Sequence, residues 1–175
     1  GTIGLVDGDV VTVNDGTAAF ADKNAGDDKT VTGSSFTLGG ADGGNYLITS
    51  IATTTADITK RHVTGSFESD NKVYDGDTSA AAHDRDLAGE VSGDDVHLSG
   101  GTGAFDTKNV GTGKTVTMSG YSLSGADKAN YVLSSPTATT TADITAKSLT
   151  GAVTASAKTY DGNATATATP VALTG

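Results

Sequence analysis

One pentapeptide pattern, Lys-x-Tyr-Asp-Gly, occurs twice in this chain, 86 residues apart, as Lys72-Val73-Tyr74-Asp75-Gly76 and Lys158-Thr159-Tyr160-Asp161-Gly162. Much of the intervening sequence recurs at the same period. Phe20–Tyr46 aligns with Phe105–Tyr131 without a gap at an offset of 85, and 15 of those 27 positions are identical. After a one-residue insertion the offset is 86, and Thr53–Thr59 repeats as Thr139–Thr145. A repeat this long excludes a solenoid rung and predicts a row of small units, each with its own core.

The repeat frame divides the chain into three expected segments. Residues 61–147 form a complete repeat; residues 1–60 are the back part of one, lacking the Tyr-Asp-Gly segment; residues 148–175 are the front part of another. Two arrangements account for this frame. Either the chain is a slice of a longer array, or the Tyr160 segment of one molecule completes the Gly1–Lys60 segment of the next by strand addition.

Val, Leu, Ile and Phe together number 32 of 175 residues, a low fraction for a chain with a net charge of -10. That balance borders on disorder. Against it, Phe20/Phe105, Phe36/Tyr121 and Tyr46/Tyr131 keep register between copies, as core positions do. The stretch from Asn163 to Gly175 is the weakest part of the pattern and is expected to be ordered only by a partner. Cysteine is absent, which excludes disulfides and thiolate metal sites. The acid is 19 Asp against 2 Glu, and the short Asp side chain suits turns, where it bonds nearby backbone. The charge argues against nucleic acid as a partner. No apolar run reaches the ~18 residues of a membrane-spanning helix.

Thirty Thr and 24 Gly punctuate short alternating runs. The pattern predicts strands at Asp9–Val13, Lys29–Thr32, Ala52–Ile58, Val96–Leu98, Thr115–Ser119 and Thr137–Thr145. No 3.6-residue period is sustained. Single helical turns are expected only at Ala41–Asn45 and Ala126–Asn130. The expected fold is therefore mostly β.

Each motif has a structural and a chemical reading. Tyr74-Asp75-Gly76 and Tyr160-Asp161-Gly162 read as strand ends entering a turn, with Tyr packed, Asp bonding backbone and Gly at positive φ. Asn45-Tyr46 and Asn130-Tyr131 read as a turn-capping Asn before a core Tyr. Gly111-Thr112-Gly113-Lys114-Thr115 resembles the end of a phosphate loop, but Lys108 stands where the pattern needs Gly, so a hairpin turn is expected. Asp75, Asp77, Asp94 and Asp95 are weak calcium candidates, since calcium takes six to eight oxygens. His62, His83 and His97 are scattered and suggest no zinc site. Glu68 and Glu90 are too isolated for glycosidase chemistry. Thr137-Ala138-Thr139 and Thr165–Thr169 fit wet strand faces better than an ice- or sugar-binding plane. Lysines and asparagines supply partners for an isopeptide, with nothing to fix their distance.

In order, the motifs read Lys-x-Tyr-Asp-Gly, Gly-Asp-(Val/Asp)-Val, Phe-x-x-Lys-Asn-x-Gly-x-x-Lys-Thr-Val-Thr, Leu-x-Gly-Ala-Asp-x-x-Asn-Tyr and Thr-Ala-Asp-Ile-Thr. This order resembles the YDG-type, mostly β-grasp tandem repeats of large bacterial surface adhesins and filamentous-haemagglutinin-like exoproteins. The resemblance implies β-grasp-like units of about 86 residues joined end to end, outside the cell, in a stalk or adhesive fibre. It implies no enzymatic activity and no cofactor. Its expected partners are neighbouring repeats, identical chains head-to-tail, or a host or matrix ligand. The alternative is a module that itself grips a glycan, a matrix protein or calcium.

Overall fold

A computed structural model describes residues 4–175; Gly1–Ile3, the start of the expected 1–60 segment, lie outside the described residues. The chain is mostly β and has no α-helix among the described residues. The two expected helical turns are single 3₁₀ turns at Gly43–Asn45 and Lys128–Asn130. Among the described residues no helix is long and apolar enough to cross a membrane.

The residues cluster into two compact units. The first comprises Gly1–Thr64, Gly89–His97 and Leu123–Ser134. It holds β1 (Thr12–Phe20), β2 (Gly26–Gly39) and β3 (Thr54–Ile58), an antiparallel sheet in the order β1-β2-β3. It also holds the start of β4 (Arg61–Ser69), which pairs in parallel with Tyr131–Leu133, the strand labelled β10 below. Val63, Val96 and Tyr131 are buried there.

The second unit comprises Gly65–Ala88, Leu98–Ser122 and Ser135–Gly175. Here β4 continues beside β7 (Ala82–Ala88). A five-stranded sheet is built from β5 (Lys72–Val73), β6 (Ser79–Ala80), β8 (His97–Phe105), β9 (Gly111–Ser124) and β11 (Thr137–Thr145), in the order β5-β11-β9-β8-β6. With β10 (Tyr131–Leu133) between β9 and β11 in sequence, the chain closes on a small antiparallel pair, β12 (Val153–Ala155) and β13 (Ala168–Pro170). The core of this unit is Phe67, Leu87, Leu98, Phe105, Val116, Met118, Tyr121, Ala142 and Ile144. Two glycines make room for it. A Cβ on Gly65 would lie 2.9 Å from Leu98, and one on Gly101 3.1 Å from both Met118 and Tyr121.

Local chemistry explains these strands. In β11 the sequence alternates small or apolar residues with Thr. Ala142 and Ile144 face the core, while Thr139, Thr141 and Thr145 are exposed. Around His97 the same alternation buries Val96 and Leu98 and leaves the imidazole in solvent.

Two expectations are corrected. Gly111–Thr115 is not a hairpin turn. It opens the 14-residue β9, with a bulge against β11 between Ala142 and Ile144 and Gly113 at φ 59°. A bulge reconciles turn-like composition with a continuous strand. Phe20 is not a core residue: it is 41% exposed, whereas Phe105 is 4% exposed. Their surroundings differ, because Met118 stands where the other copy has Gly33, and β8 carries β6 on its outer edge. The tail also has structure of its own, through β12–β13 and a Thr150–Thr174 bridge, although every residue from Thr145 onward is exposed.

This asymmetry has a thermodynamic consequence. Phe105→Ala should destabilise the protein by about 3–5 kcal/mol, as aromatic core truncations do, and Phe20→Ala in dilute protein by less than about 1 kcal/mol. Urea denaturation of the two variants measures both; equal losses would contradict the burial difference.

Candidate functional site

The Lys-x-Tyr-Asp-Gly segment folds around its own lysine. In the second unit, Lys72 Nζ lies 2.8 Å from Asp75 Oδ1 and 2.9 Å from Asp77 Oδ1. It also donates to the carbonyls of Asp77 (3.1 Å) and Ser79 (3.0 Å). Asp75 Oδ1 accepts the Asp77 amide, and Gly76 sits at φ 93°. The ammonium therefore fills the space between the two carboxylates in which a calcium ion would have to sit. Burial alone would lower the Lys72 pKa; hydrogen bonds to Asp75 and Asp77 outweigh it and raise it. Asp77 is pushed down to about 2, first by the Ser79 hydroxyl and then by Lys72. Tyr74 is half-buried, and its amide donates to the Thr145 carbonyl at 2.8 Å.

The second occurrence repeats the lysine geometry without the packing. Lys158 Nζ reaches Asp161 Oδ1 at 2.9 Å, the Asn163 carbonyl at 2.8 Å and Asn163 Oδ1 at 2.9 Å. Gly162 has φ 75°. Tyr160, expected to pack, is 94% exposed, because no strand lies beside it as β11 lies beside β5.

A second recurring constellation is the Asn-Tyr elbow of the first unit. Tyr131 is buried, and its hydroxyl donates to Asp94 Oδ2 at 2.7 Å while accepting the Val91 amide at 2.9 Å. Tyr46 does the same with Asp9 (2.6 Å) and the Val6 amide (2.9 Å). Burial raises the Tyr131 pKa, with Asp94 adding to the rise. Asp127 accepts the Asp95 amide, as Asp42 accepts that of Val10, each at 2.9 Å. Asp95 itself accepts the Ala126 amide at 2.8 Å and faces His97 Nε2 at 2.9 Å. Gly125 closes the elbow at φ 102°, with its Cβ direction only 2.3 Å from the Asp95 carbonyl; Gly40 repeats this against Val10. A side chain fits neither position.

The elbow also holds a turn of the preceding repeat copy within the same unit. Lys23 Nζ lies 3.2 Å from Asp94 and 3.9 Å from Asp127. Asn130 Oδ1 accepts the Ala25 amide at 2.9 Å, and its Nδ2 donates to Asn24 Oδ1 at 3.3 Å. Asn130 thus bonds across the junction and does not cap its own turn. The Tyr131 hydroxyl and then Lys23 hold the Asp94 carboxyl below its ordinary pKa. A groove of about 300 Å³ runs along this junction, lined by Ala25, Ile58, Arg61, Val91 and Tyr131 among others. Composition alone gave no sign of Lys23 and Asn24. Their only signal is their identity with Lys108 and Asn109 in the next copy.

Of the four acidic calcium candidates, Asp75 and Asp77 thus face a lysine in the second unit, and Asp94 and Asp95 serve the elbow in the first. The residues that do converge as metal donors are others. Glu68, His83 and Asp84 in the second unit present ligand atoms within 4.8 Å of one another. His83 is not unpaired: Nδ1 lies 3.0 Å from Asp84 and Nε2 3.3 Å from Asp70. Its pKa is raised, first by the Asp84 hydrogen bond. Neighbouring strands bring the three together, a relation no linear spacing reveals.

The lysine clasp sets an acid limit. A depressed carboxyl contributes stability that is present above its ordinary pKa of 3.8 and is lost as pH falls toward the folded value of about 2. Carboxyl NMR titration should find the Asp77 midpoint near 2, moving up toward 3.8 in Lys72→Met without reaching it, because Ser79 remains. A midpoint unmoved by Lys72→Met would contradict the clasp.

A family model described as the YDG domain matches residues 1–56 and again residues 59–142. No curated protein and no solved structure matches the chain. The two matches together cover most of the sequence and contain the lysine clasp at Lys72 and both Asn-Tyr elbows; the chain belongs to the YDG domain family.

Proposed function

We propose that this chain is a non-enzymatic structural repeat of a secreted bacterial adhesin or extracellular fibre, acting as a spacer built from β-grasp-like units of about 86 residues. The observation that carries this reading is the join inside the first unit. There the turn Lys23–Ala25 of one repeat copy is fixed by an ion pair and two hydrogen bonds to the elbow of the next. A flexible string of independent binders has no use for such a join; a spacer that must keep its length does. The mixed sheets, with parallel pairs β4–β10 and β5–β11, support the β-grasp-like description. The recurring polar contacts satisfy backbone in both copies, which suits a load-bearing module. The cell exterior is the proposed location, in keeping with a chain that has no cysteine.

One observation favours a second reading, a ligand-binding module: the Glu68–His83–Asp84 group, with its carboxylates exposed and His83 half-buried, offers a cation three donors. Two measurements separate the readings. Pulled from its ends in single-molecule force spectroscopy, the spacer should give discrete unfolding events; smooth, featureless extension would overturn the load-bearing role. Melting in calcium against chelator should leave the midpoint unchanged, and a clear rise in calcium would favour the binding module.

A further inference from the structure

Glu68, His83 and Asp84 lie on the neighbouring strands β4 and β7, within the second unit. Near the end of β4 the Asp70 amide donates to the Ala81 carbonyl at 3.3 Å. Two residues further along each strand, that register sets Glu68 opposite His83. The small pair β12–β13 repeats it. Thr154 and Thr169, which correspond to Glu68 and His83 at the offset of 86, are register partners. Residues directly opposite in an antiparallel pair hold their Cβ atoms about 4.5–5.5 Å apart. Asp70, two residues after Glu68, shares its face of β4. Asp84 joins the group through its backbone. Successive residues of a regular strand face opposite sides, which would turn Asp84 away from His83. At φ 44° it breaks the alternation, and its Oδ2 lies 3.0 Å from His83 Nδ1. The corresponding residue of the tail is Pro170, whose ring excludes positive φ, so β13 does not form the group.

Three features fit a metal ion. First, ligand atoms of Glu68, His83 and Asp84 all lie within 4.8 Å of one another. Donors around a tetrahedral zinc ion stand about 3.4 Å apart, a contraction that side-chain rotation supplies. Second, the other ring nitrogen, Nε2, lies 3.3 Å from Asp70 Oδ1. A carboxylate on the far nitrogen fixes the tautomer of a metal-bound imidazole and aims its free lone pair at the ion. Third, among the described residues no lysine or arginine pairs with Glu68, Asp70 or Asp84, whereas Lys72 fills the space between Asp75 and Asp77. The group is also reachable. A groove of about 640 Å³ runs beside it, lined by Glu68, Asp84, Arg85 and Asp86 among others.

One imidazole with two carboxylates suits zinc, nickel or copper. Calcium takes six to eight oxygens, more than this group provides. We propose that Glu68, His83 and Asp84 bind a zinc-class divalent cation that ties β4 to β7, with Asp70 as the positioning residue for the imidazole. The inference rests on the ligand-binding reading of this group and names its ion. The spacer reading stands or falls separately, on the force trace. β7 is the edge of the sheet β10-β4-β7, so the ion clamps a strand that sheet pairing holds on one side only. Zinc held in the folded chain and not in the unfolded one also stabilises the second unit by mass action.

Zinc chloride titrated into the purified chain at about pH 8, above the ordinary imidazole pKa, should bind by calorimetry as a single ion per chain. Asp70→Asn should weaken binding about 10-fold or more and keep the stoichiometry. His83→Gln and Glu68→Gln should weaken it further. His97→Gln removes a comparable exposed pair, His97 Nε2 with Asp95 at 2.9 Å, and should change nothing. In proton–nitrogen NMR spectra of the imidazole, zinc should move His83 Nδ1 and leave Nε2 protonated, and Asp70→Asn should disturb that tautomer. Absence of zinc binding, unchanged binding in His83→Gln, or an equal loss in His97→Gln would each overturn the site. An unaltered affinity and tautomer in Asp70→Asn would overturn the positioning role. Zinc without effect beside a melting point raised by calcium would sink this choice of ion and keep the ligand-binding reading; neither ion bound would remove both. Circular dichroism confirms that each variant keeps its sheets.

Discussion

The geometry of the first unit depends on a buried tyrosine whose hydroxyl is fully used. Tyr131 brings an aromatic ring into the core and carries a polar tip that donates to Asp94 and accepts the Val91 amide. Those partners lie 37 and 40 residues away in sequence, so one side chain closes a long loop. A buried hydroxyl without partners is unfavourable, and here the surrounding loop supplies both. The same atoms recur around Tyr46 at nearly the same distances. Asp94 then has a second oxygen for Lys23, so the group that fixes the fold also forms the junction. The join between repeat copies and the local fold share one carboxylate.

The apolar core is small and falls between Val63 and Ile144. Its density comes from placement. Gly65 and Gly101 let Leu98, Met118 and Tyr121 approach the backbone closely, and Val116 and Met118 are fully enclosed. Residues 4–60 share the motifs but not this enclosure. Gly33 replaces the methionine, and among the described residues no strand flanks β1 or β3 on its outer side. The shared residues therefore keep the Tyr–Asp–amide hydrogen bonds in both copies but not the burial. Hydrogen-bond geometry is decided by neighbours in the loop, whereas burial is decided by which strands stand alongside.

That distinction also marks what was legible in the sequence. Strand runs such as Thr137–Thr145, the alternation at Val96–His97–Leu98 and the single helical turns before Tyr46 and Tyr131 follow from period and composition. Gly111–Thr115 misled because glycine-rich composition marks a bulge and a turn alike; only the β11 register separates them. Phe20 misled because recurrence shows that a residue type is retained, not that its environment is. Asn130 misleads as well, since Asn before a strand commonly bonds its own turn, yet its amide faces Asn24 and Ala25. The Glu68–His83–Asp84 group depends on strand pairing and has no linear signature.

Many of the aspartates share one physical use. Asp42 and Asp127 accept amides across the elbow, Asp57 and Asp143 accept those of Asp28 and Gly113 at the bulges, and Asp75 and Asp161 accept amides two residues ahead. Each contact sits where a strand bends or ends, the points at which sheet pairing leaves an amide unserved. Glutamate, one methylene longer, fits these short reaches poorly. The net charge of -10 arises in part from satisfying backbone with carboxylates, and is locally offset where Lys23, Lys72, Lys114 and Lys158 return to them. A surface made this way repels like surfaces along its faces.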